Sequence, residues 1–126
     1  MTRVAGVGGV FIRAKDQASL QEWYRKHLGI DSGQWGTSFQ WDTPEDCAEP
    51  GSTAWNIFKA ESTYFPTSQS VMINYRVHDL HALVAALRAE GCNVDEKVED
   101  TDFGKFGWVT DPEGNRIELW EPNKRK

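Results

Sequence analysis

The residue with the clearest chemical potential is a carboxylate set in an apolar alternation. Glu118 lies between Ile117 and Leu119 in Arg116-Ile117-Glu118-Leu119-Trp120-Glu121. A period of two points it away from its apolar neighbours, to the opposite face of a strand. A carboxylate withdrawn from water has a raised pKa and can exchange protons, whereas a neighbouring arginine lowers that pKa. Arg13 and Arg76 are the candidate neighbours, 63 positions apart in stretches that alternate alike. Either could balance a buried carboxylate or grip a carboxylate or enolate ligand as a fork. Asn74 could add a directed hydrogen bond, and Met72 shares its row.

Rings are the second chemical resource. The chain holds six Trp, six Phe and three Tyr. Trp41, Trp55, Phe58, Phe103, Phe106, Trp108 and Trp120 are too many for one small core, although any one of them can serve there. Trp41, Trp55, Phe106, Trp108 and Trp120 are the expected lining of a pocket for a flat or apolar ligand. Other chemistry is weaker. His78 and His81 have helical metal spacing but no evident third ligand. Gly6, Gly8 and Gly9 lack the Lys-Ser/Thr and the helix of a phosphate loop. Lys105 reads as an edge-strand charge.

The elements that must carry these residues repeat once. Gly9–Asp16 and Met72–Asp79 are alternating strands, with Val10, Ile12 and Ala14 matching Ile73, Tyr75 and Val77. Each strand ends at an Asp suited to cap a helix. Leu20, Trp23, Tyr24 and Leu28 give the first helix its stripe, and Gly29 ends it. Leu80, Leu83, Val84 and Leu87 do the same for the second, ended by Gly91. Strands are expected at Ser38–Trp41, Thr53–Lys59, Asn93–Val98, Phe106–Thr110 and Arg116–Glu121. The register of 53–59 is open by one residue. Asp111-Pro112-Glu113-Gly114 fits a tight turn and predicts a hairpin. Residues 42–52 read as a loop or flap. The expected fold is α+β: two βαβββ modules, about 4–60 and 71–121 with a linker at about 61–70. Their curved mixed sheets, as half-barrels, surround a central cavity in one domain spanning 1–126.

A chain of 126 residues with net charge −5 suits one compact domain and argues against nucleic acid or an anionic membrane surface, both of which need a basic face. No apolar run has the length of a membrane span. The first residues lack a secretory pattern, and two cysteines, Cys47 and Cys92, make no disulfide scaffold, so a cytoplasmic location is expected.

The doubled strand-Asp-helix unit, the helix Leu20–Gly29 and the ending Asp111–Pro122 resemble the vicinal-oxygen-chelate superfamily of glyoxalases, extradiol dioxygenases and bleomycin-resistance proteins. The resemblance covers nearly the whole chain. It implies a cavity for a small molecule and, in metal-using members, one ligand from each of four strands. Those positions fall here on Gly9, Trp55, Met72 and Glu118, a single competent ligand where catalytic metal sites use three or more. No cofactor and no divalent metal are therefore expected. Three functions follow, in order: a metal-independent protein binding a small organic molecule; a metal-free isomerase or lyase with Glu118 as general base; a metal-dependent glyoxalase-like lyase or dioxygenase. The superfamily also implies a homodimer.

Overall fold

A computed structural model describes residues 3–33, 36–40 and 51–123. Eight strands form one mixed, curved sheet with two helices on its convex side, an α+β architecture. The strands are β1 (Val4–Ala14), β2 (Thr37–Gln40), β3 (Ser52–Lys59), β4 (Val71–Val77), β5 (Asn93–Val94), β6 (Glu99–Thr101), β7 (Gly104–Thr110) and β8 (Arg116–Glu121). The helices are α1 (Gln17–Leu28) and α2 (Leu80–Ala89). The strand order is β2-β3-β1-β4-β8-β7-β5, with β6 also paired to β7. The halves join where β1 runs antiparallel to β4. Inside each half the strand before the helix pairs in parallel with a later one, β1 with β3 and β4 with β8.

Both predicted caps form. Asp16 accepts from the Ser19 backbone N–H and Asp79 from that of Ala82, at 3.1 and 3.0 Å. Each replaces a partner that the first turn of a helix lacks. Gly29 takes the left-handed conformation (φ +70°) that ends α1. The second helix runs to Ala89 with Glu90 as its cap, and Gly91, left-handed at φ +82°, turns the chain away as expected.

The convex side has two cores. Leu80, Leu83 and Val84 of α2 pack on Val77 and Leu119. Under α1, Leu20 and Tyr24 cover Ala14, Trp55 and Ile57. The predicted α1 stripe is half right, since Trp23 and Leu28 are exposed while Leu20 and Tyr24 pack. Two other expectations change. Of the single strand expected at Asn93–Val98 only β5, Asn93–Val94, forms, and β6, Glu99–Thr101, lies beyond it. Asp95 still donates its N–H to the Trp108 carbonyl at 2.9 Å, and Arg88 of α2 takes the Asp95 and Glu96 carbonyls where the pairing with β7 stops. The linker is not a plain connection either. It folds back over the concave face, and its Phe65 is 1% exposed. Residues 41–50, which hold the predicted strand end Trp41, most of the predicted loop, and Cys47, lie outside the described residues.

Candidate functional site

The concave face collects every second residue of each strand. In the second half these are Met72, Asn74 and Arg76 of β4, Arg116, Glu118 and Trp120 of β8, and Phe106 and Trp108 of β7. Register brings them into rows: Asn74 stands opposite Glu118, and Glu118 opposite Trp108. One rung along, Arg76 faces Trp120 and Trp120 faces Phe106.

Glu118 is the centre of the first row and is 2% exposed. Its Oε1 accepts from Asn74 Nδ2 at 2.6 Å. Its Oε2 accepts from Trp108 Nε1 at 3.0 Å and from the Tyr64 hydroxyl. All three donors are neutral. Burial raises the Glu118 pKa, while the three hydrogen bonds and the more distant Arg116 charge oppose the rise. Burial and the Glu118 charge both raise the Tyr64 pKa as well, so its proton stays on the phenol. Tyr64 thus commits its proton to Glu118, and its oxygen, within reach of the Trp108 N–H, keeps acceptor capacity for a further partner.

Tyr64 is the residue that sequence reasoning missed. It belongs to a polar linker, where no periodicity marks a functional side chain, and its aromatic neighbour Phe65 was the visible signal. The ring is 40% exposed and borders an open cleft of about 450 Å³. Ser62 and Thr63 continue the linker wall, and Trp108 lies at the floor. The rim carries both signs of charge. Arg116 binds Asp95 at 2.8 Å and lies 5.2 Å over the Trp108 ring, and Lys97 binds Glu99 at 2.8 Å.

The neighbouring row is a second aromatic group. Trp120 and Phe106 stack at 6.3 Å with an interplanar angle of 10°, and the Arg76 guanidinium stands 6.0 Å from the Trp120 ring. Met72 is fully buried one rung to the other side of Asn74. Glu118, Asn74 and Trp108 are therefore in direct contact, with Arg76, Trp120, Phe106 and Met72 on flanking rungs of the same face.

The remaining predicted residues lie elsewhere. Arg13 directs its guanidinium at backbone carbonyls of the linker. Trp55 is on the convex side, 4.9 Å from Tyr24 of α1. Its strand alternates with the fully buried Ile57 on that side, and Trp55 pairs with Val10. The concave neighbour is Asn56, which stands opposite Phe11 as Glu118 stands opposite Asn74. The open register is thereby closed one residue away from Trp55, and the four family ligand positions become Gly9, Asn56, Met72 and Glu118. Among the described residues no three His, Cys, Asp or Glu side chains come together as a metal site. His78 and His81 are exposed at the start of α2. Trp41 is outside the described residues.

A family model described as a glyoxalase-like domain matches residues 9–120. The chain belongs to the glyoxalase-like family. Its fold is that of the vicinal-oxygen-chelate superfamily, as solved structures agree. Methylmalonyl-CoA epimerase from Streptomyces coelicolor superposes with a TM-score of 0.69 at 16% identity, over 94% of this chain and 98% of that one. The epimerase from Mycobacterium tuberculosis gives 0.64 at 19% identity, over 98% and 91%. A glyoxalase/bleomycin resistance protein/dioxygenase superfamily member from Vibrio splendidus 12B01 gives 0.58 at 14% identity, over 91% and 97%. No curated protein sequence matches. Among the described residues of this glyoxalase-like chain, no helix is long and apolar enough to cross a membrane.

Proposed function

We propose that this glyoxalase-like protein binds a small polar organic molecule in the cleft beside Tyr64, without a metal ion. The observation that carries the reading is the Glu118 cluster. Glycine, asparagine and methionine at three of the four ligand positions do not fit a divalent transition ion, which needs at least three imidazole, thiolate or carboxylate donors. The remaining carboxylate is occupied by Asn74, Trp108 and Tyr64. The cluster offers hydrogen bonding in place of coordination. Tyr64, its proton held by Glu118, presents an acceptor to a ligand hydroxyl or ammonium, and the Arg116–Asp95 pair sits at the rim for a second polar contact.

The test is a fragment screen by NMR with hydroxylated and aminated aromatic compounds. Perturbations are expected to concentrate on Tyr64, Trp108 and Arg116. Hits that map to the separate notch beside Lys15 and Glu61 would overturn the assignment.

A metal-free acid–base reaction is the second reading, favoured by the desolvated Glu118. A substrate proton would pass to the Tyr64 oxygen as the phenol proton passes to the carboxylate, leaving Glu118 neutral and Tyr64 a phenol again. Exchange of the acidic α-proton of CoA thioesters, 2-oxoaldehyde–thiol adducts or keto acids in D2O, lost in Glu118→Gln, would support it. Absence of exchange across that panel counts against it.

A further inference from the structure

Arg13 was read as balancing a buried carboxylate or gripping a ligand, and its hydrogen bonds go to neither. Its Nε donates to the Gln69 carbonyl at 3.1 Å. Nη1 donates to Ala60 and Ser62 at 2.7 and 2.9 Å, and Nη2 to Phe65 and Pro66 at 2.8 and 3.1 Å. The guanidinium also lies 4.6 Å from the Phe65 ring centroid. Its Nε and both Nη groups thus go to residues 60–69, with one longer contact from Nη1 to the Lys59 carbonyl at 3.4 Å. Such a rigid fork satisfies several carbonyls that a folded-back loop would otherwise leave without donors.

That segment holds Tyr64 between its clasped ends. Phe58 contacts both Tyr64 and Phe65, at 5.7 and 5.6 Å, and fills the space beneath them. Gln69 ties the far end to β8: its Nε2 donates to the Arg116 carbonyl, and its Oε1 accepts from the Arg116 N–H, at 2.9 and 2.8 Å. The anchor is two residues from Glu118.

We propose that Arg13 is a positioning residue, whose grip on the linker backbone fixes the Tyr64 hydroxyl against Glu118 and makes the linker a permanent wall of the ligand site. The inference rests on the reading of the Glu118 cluster as that site. Lysine cannot replace the fork, because one ammonium reaches fewer of these carbonyls and does not hold a plane.

The test needs no ligand. Tyr64 and Trp108 share Glu118 Oε2, so loss of the phenol leaves that oxygen to the indole and strengthens its hydrogen bond. The Trp108 indole N–H resonance, assigned with Trp108→Phe, is expected to move downfield in Tyr64→Phe. Arg13→Lys is expected to move it in the same direction and by a comparable amount, while the Trp120 indole, bonded to the Phe103 carbonyl, stays in place. A folded Arg13→Lys chain with an unmoved Trp108 resonance would overturn the proposal. If that variant does not fold, Thr67→Gly with Ser68→Gly decides. These exposed positions loosen the linker without touching the fork, so the resonance should not move, and movement would overturn the clasp. Because the readout is independent of binding, failure here leaves the cleft assignment standing. A failed fragment screen likewise leaves the clasp intact.

Discussion

Among the residues, Glu118 is a buried charge held by neutral groups. Taking a carboxylate out of water is costly, and three hydrogen bonds offset only part of that cost. The Glu118 carboxyl is accordingly raised above its ordinary 4.5. Between 4.5 and its raised native value, the folded chain binds more protons than the unfolded one, so stability falls as pH rises through that window. Glu118→Gln removes the titration. Its stability should lack that fall, so that wild type and variant diverge in the variant's favour as pH rises to neutrality, as read by thermal melts at successive pH values. The amide also has a place to go. Asn74 Oδ1 is buried without a hydrogen-bond partner among the described residues. An Asn74 amide flip would let that oxygen accept from the new side-chain NH2. A variant whose stability falls with pH just as the wild type's does would remove Glu118 as the source. Glu118 itself was legible in the sequence, because alternation fixed its face. Its partners were only half legible. Asn74 and Trp108 share strand periodicity with it, but Tyr64 reaches it from a linker with no period to read.

At the scale of elements, close approach between strands sets what the concave face tolerates. A Cβ at Gly8 would collide with Asn74 Oδ1 and come within 2.9 Å of the Trp120 ring. A Cβ at Gly107 would meet Leu80 and Val84 at 3.4 Å, ordinary packing at the α2 interface. Gly8→Ala should therefore destabilise the chain by about 1–3 kcal/mol, the usual cost of overpacking, and push Asn74 off Glu118. Gly107→Ala should cost less than about 1 kcal/mol. Chemical denaturation of the two variants ranks them, and equal losses would show that Asn74 is free to move. The contrast also shows where sequence reasoning stops. The turn at Asp111–Asn115 and both Asp caps rest on local hydrogen bonds, so they could be named in advance. The face of Trp55 depended on a parallel pairing with β1, which is long-range. Counting by the repeat missed it by one residue, and a slip of one residue exchanges the faces of a strand.

At the scale of the whole molecule, duplication is visible in the strand order, but the halves are not equivalent. The row built by Asn74 and Glu118 has its counterpart in Phe11 and Asn56. There, Phe11 packs 5.4 Å from Phe58, so the first half supplies apolar support and the second half supplies the polar cluster. The linker, gripped by β1 and reaching β8, ties one to the other. With β1 and β4 paired at the centre and each half too small to bury much alone, the chain should unfold in one step. Far-ultraviolet circular dichroism and the tryptophan signal should follow one denaturation curve, and separated curves would show independent modules.

On the proposed reading, hydrogen-bond donors take the place of a metal at Glu118. Equilibrium dialysis of the wild type and Glu118→Gln against Zn2+, Ni2+, Mn2+ and Fe2+, followed by elemental analysis, tests it most directly. Less than stoichiometric metal is expected in both proteins, with no difference between them. One tightly held ion per wild-type chain, absent from Glu118→Gln, would contradict it.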